Sequence, residues 1–125
     1  MAKKILLVDD EEDFQELMGI RIKGWGYDFI QALNGRGAIE ALKSKNPDII
    51  ILDYVMPDMN GVEVLKKIRK IDRKIPVIMF TAHPDEKSFK GARKLGITAY
   101  VPKLSEYSDI LVALREAIYI AEKQL

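Results

Sequence analysis

The 125-residue sequence contains no cysteine, which excludes a disulfide framework and any thiolate metal site. No apolar run is long enough to cross a bilayer. Residues 1–4, MAKK, are followed by only four apolar residues before Asp9, too few for the apolar stretch of a secretory signal. A cytoplasmic protein is the plain expectation. A dominant charge is lacking as well. The 20 basic and 19 acidic residues give a formal +1, which argues neither for nor against nucleic acid as a partner. No repeat, linker or low-complexity stretch interrupts the chain. With 48% apolar and 31% charged residues, 125 positions suit one domain, 1–125, with a real core, and are too few for two ordinary ones.

What is present is an alternation. Short apolar runs at Lys4–Val8, Tyr27–Ala32, Asp48–Leu52, Val77–Phe80 and Ala99–Val101 are separated by helical patterns. Several runs are continuously apolar, as parallel strands covered on both faces require. Between them, Phe14, Leu17, Met18 and Ile22 share a helical face, as do Ala38, Ile39, Ala41 and Leu42, then Leu65 and Ile68. Ile110, Leu114, Ala117, Ile118 and Ala121 form the stripe of a last helix. Bases at Lys66, Lys67, Arg69, Lys70, Arg73 and Lys74 alternate with apolar residues, as on the wet face of an amphipathic helix. Five β-α units in succession predict an α/β fold, a doubly wound parallel sheet with helices on both faces. In such folds the ligand site lies beyond the carboxyl ends of the strands.

Those ends carry chemistry. The first strand runs into Asp9-Asp10, the third into Asp53, the fourth into Thr81 and the fifth into Lys103. Each has a bland alternative. Asp9, Asp10 or Glu11 can cap the first helix, Asp53 can open a turn before Met56-Pro57-Asp58, and Thr81 can cap the fourth helix. Together they point to function. Carboxylates converging from separate strands repel and raise one another's pKa, and a hard cation with oxygen ligands, helped by a lysine, relieves that. Neither G-x-x-x-x-G-K-[ST] nor G-x-G-x-x-G follows the first strand, so the glycine-rich nucleotide loops are absent. The DDEED run in their place would repel a ligand phosphate unless a metal intervened.

The strings LLVDDEE at 6–12, IIILDYVMPDMNG at 49–61, VIMFTA at 77–82 and GITAYVPK at 96–103 resemble the receiver domain of two-component response regulators, essentially end to end. The resemblance implies a flavodoxin-like (βα)5 sheet in strand order 2-1-3-4-5. It implies a phosphorylation-dependent switch, not an enzyme beyond its own phosphoryl transfer and dephosphorylation. Asp53 would be the phosphoryl acceptor, with Asp10, Asp53 and the Val55 carbonyl on Mg²⁺ and Asp9 acting through a bound water. Thr81 and Lys103 would meet the phosphoryl group, and Tyr100 would be the aromatic switch. Val55 and His83 stand where the family tunes acyl-phosphate lifetime. The bland readings are a half-buried strand aromatic for Tyr100 and a solvated loop histidine for His83. The implied partners are a sensor histidine kinase or phosphotransfer protein and a downstream protein docking on the face of helix four, strand five and helix five, with no direct nucleic-acid or membrane contact.

One departure stands out. The family usually places a proline after the lysine, joined by a cis bond, whereas here Pro102 precedes Lys103 and Leu104 follows it. A cis bond before a non-proline residue costs about 2.5–4 kcal/mol, so a trans Lys103–Leu104 bond is expected. The displaced proline is the only sequence support for a second reading, a constitutive interaction module with a vestigial site. A phosphatase with an aspartyl nucleophile would want a second carboxylate where Val55 stands. No output domain follows Leu125 in this sequence, so the expected action is docking, as a stand-alone regulator or as the receiver of a larger protein.

Overall fold

A computed structural model describes residues 2–82, 84–103 and 106–125. Strands and helices alternate as β1 (Lys4–Val8), α1 (Glu12–Gly24), β2 (Asp28–Ala32), α2 (Gly35–Lys45), β3 (Ile49–Asp53), α3 (Gly61–Ile71), β4 (Val77–Thr81), α4 (Glu86–Lys94), β5 (Ala99–Pro102) and α5 (Tyr107–Lys123). The five strands form one parallel sheet in the order β2-β1-β3-β4-β5. This is the doubly wound parallel sheet expected from the apolar runs, in the flavodoxin-like strand order that the resemblance implies.

Alternation along each strand sends neighbouring side chains to opposite faces. Ile5, Leu7, Ile49, Ile51, Ile78 and Phe80 pack on α1 and α5 through Met18, Ile22, Leu114 and Ile118. Leu6, Val8, Ile50, Leu52, Val77 and Met79 pack on α2, α3 and α4 through Ala38, Leu42, Leu65, Ile68 and Ala92. Because helices cover both faces, β3 and β4 are buried along their whole length.

The strands differ from the apolar runs at their ends. Asp53, Thr81 and Pro102 each complete a strand at its carboxyl end, so the polar residues there belong to the sheet itself. At the start of β3, Asp48 is spent as a side-chain acceptor, its carboxylate taking the Lys4 N–H at 2.7 Å. Pro102 is tolerated because β5 is an edge strand, where a missing N–H breaks no ladder. On α1 the buried stripe is Gln15, Met18, Gly19 and Ile22, while Leu17, expected inside, is 45% exposed. The Phe29 ring lies where a Cβ on Gly19 would sit, 2.9 Å away, so α1 presents its glycine to β2 and turns Leu17 outward.

Three helices, α2, α3 and α4, start on side-chain caps. Asn34 takes the Gly37 N–H at 2.7 Å, Asp85 takes the Ser88 N–H at 2.7 Å, and Asn60 with Glu63 forms a capping box on α3. A Cβ on Gly61 would stand 2.7 Å from the Asp53 carbonyl oxygen and 2.8 Å from Tyr54 Cα. Glycine there lets α3 begin directly against the end of β3, where the Gly61 N–H donates to the Tyr54 carbonyl at 2.7 Å.

Candidate functional site

Parallel pairing brings every carboxyl end to one edge of the sheet, and there the chain turns polar. Asp9 follows β1 and is fully buried. Its backbone N–H donates to the Ala32 carbonyl at 3.0 Å, Oδ1 accepts the Glu11 N–H at 2.9 Å, and Oδ2 meets Lys103 Nζ at 2.5 Å. The capping alternative is not realised, since the N-cap Glu11 makes no side-chain cap; Asp9 instead closes a turn ahead of α1 that leaves one oxygen for the lysine. Asp10 is exposed. Asp53 ends β3 with 6% of its surface accessible, and Lys103 Nζ lies 3.6 Å from its Oδ2. Carboxylate oxygens of Asp9, Asp10 and Asp53 lie within 4.8 Å of one another. Asp10, Glu11, Asp53, Val55, Ala82 and Lys103 line an open cavity of about 270 Å³.

Three carboxylates against one ammonium leave the cluster short of positive charge. Burial pushes Asp53 from 3.8 up to about 6. Lys103 opposes that rise, the Asp9 charge adds to it, and the Tyr54 and Val55 N–H groups favour the ionised form. An all-oxygen donor set with surplus negative charge suits a hard divalent cation.

Lys103 is held by more than its anions. Its ammonium sits 4.5 Å from the Phe14 ring centroid and 4.9 Å from that of Phe80. Its backbone N–H donates to the Thr81 carbonyl at 2.6 Å. Thr81 itself is fully buried at the end of β4. Tyr100 on β5 is half-buried against the α2–α4 side of the core. Its hydroxyl pairs with Ser88 Oγ at 2.7 Å, and its ring meets Phe89 edge-on at 5.2 Å. Val55 is 46% exposed at the cavity rim. His83 and the Lys103–Leu104 bond lie outside the described residues.

The family model for the response regulator receiver domain matches residues 5–115. The chain belongs to that family. It is 32% identical over 116 residues to sporulation initiation phosphotransferase F of Bacillus subtilis, covering 93% of this chain and 94% of that protein. Identity to the alkaline phosphatase synthesis transcriptional regulatory protein PhoP of Bacillus subtilis is 37% over 103 residues, 82% of this chain. The match spans only 43% of PhoP. Among solved structures, response regulator TrrA from Thermotoga maritima, in complex with Mg²⁺ and BeF, superposes with a TM-score of 0.78 at 31% identity, over 92% of this chain and 98% of that one.

Two parts of this receiver's site were not singled out from the sequence. Phe14 and Phe80 wall the lysine, although both read there only as core residues. Gln15 is fully buried, and its Nε2 lies within hydrogen-bond distance of the Leu7, Asp9 and Ala32 carbonyls at 2.9, 3.1 and 2.9 Å. The available signal was a glutamine in register with Met18 and Ile22 on the buried face of α1.

Proposed function

We propose that this receiver is a phosphorylation-dependent signalling switch with Asp53 as the phosphoryl acceptor. The observation that carries the reading is the convergence of buried Asp53 with Asp9, Asp10 and Lys103 in one cluster beside a cavity at the carboxyl edge of the sheet. The donor is a phosphohistidine on a sensor kinase or phosphotransfer protein in the cytoplasm. An Asp53 carboxylate oxygen attacks phosphorus in line, a P–O bond forms, and the P–N bond breaks with its electron pair left on the imidazole. Lys103 moves its charge from Asp9 and Asp53 toward the transferred oxygens. The Thr81 hydroxyl donates to one of them. Asp10, Asp53 and the Val55 carbonyl would hold Mg²⁺, with Asp9 acting through a bound water; bound there, the ion neutralises charge on the phosphoryl oxygens and keeps Asp53 ionised. The Mg²⁺ and BeF carried by the TrrA relative support this assignment.

The acyl phosphate then biases Thr81 and Tyr100 together, altering the face of α4, β5 and α5 on which a downstream protein docks. The phosphotransferase relative, similar over nearly its whole length, is consistent with a role in passing phosphoryl groups between proteins. Titration with Mg²⁺ and beryllofluoride, a non-transferable phosphoryl mimic, tests the site by amide NMR. Saturable shifts at Thr81 and Tyr100 that need both reagents and vanish in Asp53→Asn are expected. No shift in the wild-type chain with both present would sink the reading.

A further inference from the structure

Charge is segregated along this chain despite its near-neutral total. Residues 61–96 hold ten bases and four acids, whereas the remaining 89 residues hold ten bases and fifteen acids. The surplus frames a cleft of about 580 Å³ between α3 and α4, outside the phosphoryl site. Lys66 stands on the α3 wall, and Lys87, Lys90 and Lys94 on the α4 wall. The acids nearby are already engaged. Glu63 accepts the Asn60 N–H in the α3 capping box, and Glu86 pairs with Lys90 at 2.9 Å. Among the described residues, Lys66, Lys87 and Lys94 have no ion-pair partner.

The cleft is built by the fold and is not a chance gap between lysines. Gly91 allows α4 to approach α3, since a Cβ there would lie 3.3 Å from Val62 Cγ1. Arg69, which sequence reading grouped with the basic run, does not face a partner. Its guanidinium donates to the carbonyls of Leu95 at 2.7 Å, Ile75 at 2.8 Å, Gly96 at 3.0 Å and Asp72 at 3.3 Å, locking the end of α3 to the end of α4. Between the lysines the lining is apolar, through Tyr54, Val62 and Leu95.

We propose that the α3–α4 cleft docks an acidic, amphipathic protein segment. Unpaired lysines on both walls match acidic side chains, and the apolar strip between them matches the buried stripe of a helix lying in a groove. Nucleic acid fits less well. Arg69 is consumed by backbone carbonyls, no arginine among the described residues lines the cleft, and Tyr54 is packed half-buried against the core instead of standing as a stacking platform. Ser88 lies on the α4 wall with its hydroxyl 2.7 Å from that of Tyr100, so an occupant sits one hydrogen bond from β5.

The test is fluorescence anisotropy of a labelled synthetic helical peptide carrying glutamates, with leucines at i and i+4, titrated with the full chain. Lys66→Glu with Lys94→Glu should weaken binding at least about tenfold, while Lys43→Glu with Lys45→Glu, an equal charge change on α2, should weaken it less than about twofold. Amide shifts should fall on Val62, Gly91 and Leu95. If the reversal pair does not fold, Lys66→Ala with Lys94→Ala gives the same comparison. Absence of saturable binding, or equal loss in the two pairs, overturns the proposal. So does a single-stranded oligonucleotide of equal charge that binds more tightly with the same dependence on Lys66 and Lys94. Neither pair touches Asp53, so phosphoryl uptake by these variants separates failure here from failure of the switch.

Discussion

Asp53 is less stable folded as a carboxylate than as an acid, and the consequence has a definite sign. Its native carboxyl titrates near 6, against 3.8 in the unfolded chain. The folded state therefore binds this proton more tightly, and ionisation destabilises the fold progressively as pH rises from about 4 to about 6. Two pH units correspond to on the order of 2–3 kcal/mol, present in full above pH 6. Asp53→Asn removes the charge and also the attraction to Lys103, so a net gain of about 1–2 kcal/mol is expected at pH 7 without divalent cation. That gain should fade near pH 4, and Mg²⁺ should narrow it by stabilising the wild type alone. Urea unfolding of both chains at pH 4 and 7 checks this. A wild-type–variant difference that does not change with pH would contradict it. Lys103→Met acts in the opposite direction. It strands the fully buried Asp9 carboxylate beside Asp53 and should lower stability by about 3–5 kcal/mol at pH 7 in the same assay.

At the scale of elements, Gln15 joins three of them. From α1 its amide reaches the Leu7 carbonyl of β1, the Asp9 carbonyl and the Ala32 carbonyl at the end of β2. Gln15→Leu keeps the volume and removes the donors, so a loss of about 1–3 kcal/mol is expected, with faster hydrogen exchange at Asp9, whose N–H shares the Ala32 carbonyl. Exchange unchanged at Asp9 would show that the amide is not a clamp. Gln15 also explains why α1 was the least faithfully read helix. Apolar spacing placed Leu17 inside, but a glutamine whose Nε2 donates to backbone carbonyls and a glycine under Phe29 took the buried positions. The strands were legible because burial on both faces forces continuous apolar runs in β3 and β4. Their carboxyl ends were legible because Asp53 and Thr81 break those runs with residues that hydrophobic burial alone does not explain.

Across the whole molecule, what sequence reading missed are contacts made by distant segments. Nothing local says that Asp58, after β3, accepts the Gly35 and Arg36 N–H groups at 3.0 Å each and so anchors the start of α2. Those bonds hold the Asp58 carboxyl below its usual 3.8. Its contribution is therefore present above that pH and lost as pH falls below it. Asp58→Asn should destabilise the chain at pH 7, with the difference shrinking under acid, by thermal unfolding against pH. The sheet order joins these distant pieces: it sets β1 and β3 side by side, and with them Asp9, Asp10 and Asp53. The central claim is that this arrangement makes Asp53 a phosphoryl acceptor. Intact mass after incubation with Mg²⁺ and a small acyl-phosphate donor tests it most directly. The wild-type chain should gain one phosphoryl group and Asp53→Asn none, whereas an unchanged wild-type mass, or equal gain in the variant, would contradict the account.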